Sequence, residues 1–257
     1  MKASISTPAE SAGAIGSGSQ TLMRGLDVLE AVARDLQGLP ELAQTLDLTR
    51  STTHRLASAL VDRGYLAFTP RLGYRLGPKL LELGHIAQGQ TDLIQVARAH
   101  IEALAVRTED TVHLGVLDGD RALYLDKIAG RRRINISSRV GDRHPLTSTG
   151  LGKALMLDHP AAWRLARLAE EHPRFDADLW ARRMEGYVAA GCAYDLEENE
   201  DQIRCVAAPV RDAAGAIIAA ISVSGAAQYM DDARMAALSD DVRATAAAIS
   251  RDLGWRA

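Results

Sequence analysis

Apolar residues begin to recur at helical spacing at Thr21: Leu22, Leu26, Leu29, Val32 and Leu36, with Arg24, Asp27 and Glu30 between them. This predicts a first helix closed by Gly38. Leu39, Leu42, Ala43 and Leu46 form the stripe of a shorter second helix, ended in a tight turn by Asp47 and Leu48. The third helix is predicted over residues 50–63, with Thr49 as N-cap and Gly64 as C-terminal stop. Its Thr52, Leu56, Ala59 and Leu60 read as inward, and Ser51, His54, Arg55, Ser58 and Asp62 as the outer face. Tyr65, Leu66 and Phe68 then read as a strand, residues 70–73 as a turn, and Tyr74 with Leu76 as the returning strand. Helix, short helix, turn, helix and hairpin in this order make a winged helix-turn-helix, a device that sets a helix into the DNA major groove.

The remainder has a mixed texture. Pro78 opens a helix whose Leu80, Leu81, Leu83 and Ile86 carry more apolar surface than a linker needs, so it is expected to pack on a partner. Gly89 interrupts that pattern, and Asp92 starts a helix with Leu93, Ala97, Ile101 and Leu104 inward. Strands are predicted at 111–117 and 121–128, joined by Asp118-Gly119-Asp120, and at 134–138. Helices follow within 149–158, 161–171 and 178–190, then strands at 203–211 and 217–224 and a terminal helix over 231–253. Hairpins flanking a helical insert suggest an α+β domain, an antiparallel sheet covered by helices.

Composition sharpens this picture at the ends and in its charge. The first twenty residues are mostly Ser, Ala, Gly and Thr, too poor in large apolar groups to offset their ordering entropy, and read as a disordered tail. The expected organisation is therefore a tail over 1–20, a DNA-binding domain over 21–77, a linker and dimerisation helix over 78–91, and a larger domain over 92–257. No apolar run nears the length of a membrane span and no leader pattern opens the chain, so a cytoplasmic protein is expected. Two cysteines, Cys192 and Cys205, are too few for a disulfide framework. The net charge of −3 hides an asymmetry: residues 50–79 hold Arg50, Arg55, Arg63, Arg71, Arg75 and Lys79 against Asp62 alone, which is +5 and leaves −8 for the rest. A local cationic face on an acidic body fits a DNA-facing module.

Recognition helices present their N-terminal residues to base edges, where Arg55 can contact bases or phosphates, while Arg71 and Arg75 on the wing suit the backbone. The segment Thr147-Ser-Thr-Gly-Leu-Gly-Lys-Ala154 is not a phosphate loop: Thr147 stands where the first Gly is needed and Ala154 where a hydroxyl is needed. Ser222 and Ser224, two apart on a strand, send both hydroxyls to one face while Ile221 and Val223 pack on the other. A catalytic Cys205 would need a base within reach, and only His113 stands on a nearby strand, with no Asn or Asp to orient it. No short-spaced ligand pair supports a metal site. The run Arg131-Arg132-Arg133 reads as a solvated hairpin end.

The chain resembles the IclR-type bacterial transcriptional regulators. The matching stretches are Arg24-Gly-Leu-Asp-Val-Leu-Glu30, Ser51-Thr-Thr-His-Arg-Leu56, Arg63-Gly-Tyr-Leu66, Tyr74-Arg-Leu-Gly-Pro78, Thr111-Val-His-Leu114, Pro145-Leu-Thr-Ser-Thr-Gly-Leu-Gly-Lys-Ala154, Arg204-Cys-Val-Ala-Ala-Pro209 and Ile221-Ser-Val-Ser-Gly225. The resemblance implies a winged N-terminal domain, a dimerising linker helix and a GAF-like effector domain, assembled as homodimers or dimers of dimers on palindromic double-stranded DNA operators. The DNA-contacting set then reads Arg24, Arg50, Ser51, Thr52, His54, Arg55, Arg71 and Arg75. The effector-binding set reads Ser148, Thr149, Gly150, Leu151, Asp195, Cys205, Ser222 and Ser224. Free amides at the start of the helix after Thr149 attract anions, which points to a carboxylate effector; Asp195 fits one only by binding its hydroxyls. No cofactor, metal, membrane or catalytic residue is implied. Two other classes fit the same residues: an enzyme recruited to DNA by its winged domain, and a ligand-blind DNA-binding structural protein.

Overall fold

The computed structural model describes residues 17–132, 136–170 and 175–256, and these divide into two compact units between Gln90 and Thr91. In the smaller unit, α1 (Ser17–Ala33), α2 (Leu39–Thr45) and α3 (Arg50–Asp62) pack around Val28, Val32, Leu42, Leu56 and Ala57. The two-stranded sheet of β1 (Leu66–Thr69) and β2 (Gly73–Leu76) follows, closing the core with Leu66 and Tyr74. This is the winged helix-turn-helix order. Helix α4 (Pro78–Gln90) completes the unit, running unbroken through Gly89, which the sequence pattern had made an interruption.

Several boundaries differ from the sequence expectation for physical reasons. Residues 17–20 belong to α1 rather than to a tail; residues 1–16 lie outside the described residues. Helix α1 stops at Ala33, not near Gly38, because Asp35 takes a left-handed conformation at φ 66°. Gly38 instead is the N-cap of α2. On α3 the inward stripe is Thr53, Leu56, Ala57 and Leu60, turned by about one residue from expectation, with Ala59 exposed. Thr53 can be buried because its hydroxyl donates to the Thr49 carbonyl, 3.0 Å away.

The larger unit opens with α5 (Leu93–Thr108), N-capped by Asp92. Its sheet is wholly antiparallel and six-stranded, in the order β5-β4-β3-β8-β7-β6. The strands are β3 (Thr111–Asp118), β4 (Arg121–Ile128), β5 (Arg143–Pro145), β6 (Ala193–Leu196), β7 (Ile203–Arg211) and β8 (Ile217–Ala226). Alternation divides the sheet's apolar residues between two cores. Val112, Leu114, Val206, Ala208, Ile221 and Val223 meet α5 and the terminal helix α9 (Asp232–Asp252) on one face. Ala193, Ala207, Ala220 and Tyr124 meet α6 (Gly150–Leu155) and α8 (Ala177–Ala190) on the other, with α7 (Pro160–Ala169) outside them.

The strand expected at 134–138 is not formed over its described part, 136–138; residues 133–135 lie outside the described residues. There the Lys127 ammonium, instead of a neighbouring strand, satisfies the carbonyls of Ile136 (2.7 Å) and Ser138 (2.6 Å). The sheet edge is taken by β5. The far edge, β6, was missed by periodicity because it is only four residues long and carries Asp195. Among the described residues no helix is long and apolar enough to cross a membrane.

Candidate DNA interface and effector site

Thr49 builds the start of α3: its hydroxyl accepts from the Thr52 amide and donates to the Thr52 hydroxyl at 2.9 Å. Thr52, expected on the inward stripe and in the DNA-contacting set, is half-buried, with its hydroxyl engaged by the Thr49 cap. Arg50, Ser51, His54 and Arg55 are exposed at the same end of the helix. The wing is fixed beside it by Tyr74, whose amide donates to the Gln37 carbonyl at 2.9 Å. Gly73, at φ 93°, is required there, because a Cβ would stand 2.2 Å from that same oxygen. Pro70 and Arg71 turn the wing, with Leu72 N–H bonded back to the Thr69 carbonyl. Arg71 holds φ 70°, a conformation glycine takes without strain, and it is exposed. Arg75 stands opposite Ala67 on β2, also exposed.

Electrostatically, the arginines of this surface have no ion-pair partner among the described residues. Arg24, Arg50, Arg55, Arg71 and Arg75 form no ion pair among the described residues of the unit, whose pairs there are Arg34 with Glu30 and Lys79 with Glu82. Exposed guanidinium groups that are not committed elsewhere are available to phosphates and guanine edges.

In the larger unit, sheet register brings part of the effector set together. Asp195 faces Cys205, Cys205 faces Ser224, and Ser224 faces Thr111, one row across four strands. The next row runs Ala193, Ala207, Ser222, His113 and Lys127. Gly150 lies over the first row so closely that a Cβ would meet the Cys205 sulfur at 2.6 Å. The amides of Gly150 and Asp195 point at that buried thiol, whose pKa burial pushes up to about 12, with Asp195 adding to the effect. Asp195 is buried and pushed up to about 6 by desolvation, against the pull of Lys153. Its Oδ1 accepts from the amides of Glu198 (2.8 Å) and Asn199 (3.4 Å), folding the following turn back over the site.

The other expected residues have different surroundings. Thr149 caps α6, its hydroxyl accepting from Gly152 and donating to the Pro145 carbonyl, so it is committed to the backbone. Leu151 is fully buried, its side chain in the core that includes residues of α8 and the sheet. Ser148 lines a separate cavity of about 420 Å³ and donates to Asn199. That cavity is bounded by Trp180 and Phe175 and is rimmed by Glu170, Asp176, Glu197, Glu198, Glu200 and Asp201, with Arg183 as the cation among its lining residues. An acidic rim of this kind is a poor seat for a carboxylate.

Two groups escaped the sequence reading. Lys153 is fully buried, donating to the Tyr194 carbonyl at 2.9 Å and pairing with Glu198, which also binds Arg183 of α8 at 2.8 Å. His113, Tyr124 and His144 stack, with ring centroids 4.9 and 4.6 Å apart. His113 was read as a plain sheet residue, and no linear signal marks it; its pairing with Ser222 is visible only once β3 and β8 are known to be neighbours. Among the described residues no cluster of three or more His, Cys, Asp or Glu side chains is arranged to hold a metal.

Comparison with known proteins bears on both surfaces. The family described as "IclR helix-turn-helix domain" matches residues 21–70, and "Bacterial transcriptional regulator IclR C-terminal" matches residues 85–251. The sequence is 36% identical over 246 residues to the HTH-type transcriptional regulator XynR of Escherichia coli (strain K12), covering 90% of this chain and 95% of that one. The fold is similar to that of the Agobacterium tumefaciens repressor BlcR, with a TM-score of 0.77 at 25% identity, covering 93% and 98% of the two chains. It is also similar, with a TM-score of 0.56 at 26% identity over 91% and 98%, to an IclR homolog from Microbacterium hydrocarbonoxydans complexed with 4-hydroxybenzoate.

Proposed function

The chain belongs to the IclR family of bacterial transcriptional regulators, and from that premise we propose that it grips a palindromic operator as a homodimer and releases or tightens that grip when its larger unit captures a small carboxylate. It is a DNA-binding regulator with an effector domain, not an enzyme. The observation that carries the DNA assignment is the set of exposed arginines on α3 and the wing that pair with no carboxylate among the described residues. We assign Arg24, Arg50, Ser51, His54, Arg55, Arg71 and Arg75 to the duplex, with Arg55 at base edges and the wing arginines on phosphates.

Homodimerisation is supported by apolar residues of the smaller unit that its own core leaves exposed: Leu22, Met23 and Leu26 on α1, and Leu81, Leu83 and Ile86 on α4. We take residues 78–91 as the dimerising segment. Two recognition helices then read half-sites about 34 Å apart or a multiple of it, and pairing of dimers extends the reach. The operator complex forms in the cytoplasm.

For the effector, we place the carboxylate near the start of α6 beside Cys205, with Ser222 and Ser224 on the neighbouring sheet. The complex of a structural relative with 4-hydroxybenzoate, a hydroxylated carboxylate, supports this chemistry. Asp195 is compatible with an anion because its raised pKa lets it accept a proton when the negative charge arrives. Ligand that fits one conformation of the larger unit better than another shifts operator affinity by its differential binding energy. Calorimetric titration with carboxylic acids tests the reading: saturable heat that disappears in Ser222→Ala/Ser224→Ala, with operator binding intact, is the predicted result. Acids that bind equally well to that variant would remove the assignment.

A further inference from the structure

His113 occupies an unusual position for a histidine. It is buried to within 1% of full enclosure, in the middle of β3, directly across from Ser222 on the sheet face that carries Cys205 and Ser224. Cross-strand neighbours of this kind place their Cβ atoms about 5 Å apart. The ring is held on two sides. Its Nε2 is 2.8 Å from the Ser138 hydroxyl, and its face lies against Tyr124, which is backed in turn by His144. Nδ1 has no hydrogen-bond partner among the described residues, although the atom is fully enclosed.

An enclosed ring nitrogen without a partner is costly, and such groups persist where a ligand or water completes them. The neighbours define what the partner can be. Burial holds the imidazole neutral, and the Lys127 and His144 side chains reinforce this, lowering its pKa to about 3. Lys127, its neighbour in the sheet row, is committed to the carbonyls of Ile136 and Ser138. That end of the site therefore presents a neutral imidazole, serine hydroxyls and an occupied ammonium, a set that suits hydroxyl groups and, among the described residues named here, offers no free cation to a second carboxylate.

We propose that His113 is a specificity-determining residue of the effector site, reading a hydroxyl of the effector through Nδ1, so that the site takes hydroxylated monocarboxylic acids in preference to their deoxy counterparts. The inference rests on the effector reading given above and deepens it: the carboxylate lies toward Gly150 and Cys205, the hydroxyl toward His113 and Ser222. Ser138 acts as the positioning residue that fixes the ring.

The test is calorimetric titration of the full chain with matched acids: lactate and propionate, 3-hydroxybutyrate and butyrate, gluconate and hexanoate, 4-hydroxybenzoate and benzoate. The expected result is at least one pair in which the hydroxylated member binds about tenfold or more tightly than its partner, as befits a buried polar group that would otherwise go unsatisfied. In His113→Leu the two members should bind within about twofold of each other. His113→Asn, which keeps a polar atom near the Nδ1 position, should restore most of the preference and guards against a variant that fails to fold. A hydroxyl preference undiminished in folded His113→Leu, or equal loss of both members, overturns the proposal while leaving the effector site in place. Silence of every pair, or binding indifferent to Ser222→Ala/Ser224→Ala, overturns the effector reading itself and this inference with it.

Discussion

Two sets of arginines, one in each unit, are used in opposite ways. In the larger unit five are structural: Arg132 and Arg234 clasp the buried carboxylate of Asp110, Arg98 binds Asp126, Arg204 joins Glu197 to Asp232, and Arg211 holds Asp158. In the smaller unit Arg24, Arg50, Arg55, Arg71 and Arg75 stand exposed and pair with no carboxylate among the described residues. The same residue type that fastens one fold is left available on the other. Overall charge, at −3, conceals this difference; the commitment of each guanidinium reveals it.

Substitutions should separate the two sets cleanly. The largest effect is expected for Arg234→Ala, which leaves the Asp110 carboxylate, 1% exposed, with Arg132 as its remaining ion-pair partner among the described residues. Removing one partner of a buried charge costs about 3 kcal/mol, so urea unfolding of the larger unit should shift by that amount. Arg55→Ala should leave unfolding unchanged and weaken operator binding about tenfold to hundredfold, as loss of a base-edge contact does. A stability loss in Arg55→Ala, or none in Arg234→Ala, would erase the contrast.

A pH experiment probes the larger unit alone. Asp195, raised to about 6 by burial, is mostly ionised at pH 8 and must gain a proton as an anionic effector binds. Affinity for the carboxylate should therefore rise by up to about tenfold per unit as pH falls from 8 to 6, and level off below 6. Asp195→Asn, which keeps the acceptor for the Glu198 and Asn199 amides, should flatten the profile. The smallest effect is reserved for the wing. Arg71→Gly relieves a left-handed backbone and should gain up to about 1 kcal/mol of stability while losing several-fold in DNA affinity. A wing that merely turns the chain would gain the stability and lose no affinity.

How much of this was legible in the sequence depended on whether the signal was local. Thr49 as N-cap, the wing hairpin and the shared face of Ser222 and Ser224 follow from turn chemistry and from the strand period of two, and the structure forms each of them. The α3 stripe was misread by one position because Thr53, a polar residue, is buried through a bond to a backbone carbonyl that no hydropathy pattern records. Strand β6 is too short to show a period, and residues 136–138 read as a strand but are held by the side chain of Lys127. Within the effector set, Asp195, Cys205 and Ser224 come into one row only through the register of three strands. Thr149 and Leu151 show the limit of a contiguous motif: neighbours in sequence, one hydroxyl serves a helix cap and one side chain serves the core. The stacked rings of His113, Tyr124 and His144 join three strands and could not be seen before the sheet order was known.

The central claim is that the uncommitted arginines of α3 and the wing hold duplex DNA. The most direct test titrates the full chain against the DNA upstream of its own gene and its neighbours across a range of salt concentrations. The account predicts that affinity falls linearly on a log–log plot, and that Arg75→Ala shallows the slope by about one counterion. An affinity indifferent to salt, or a slope that Arg75→Ala and Arg71→Ala leave unchanged, would contradict it.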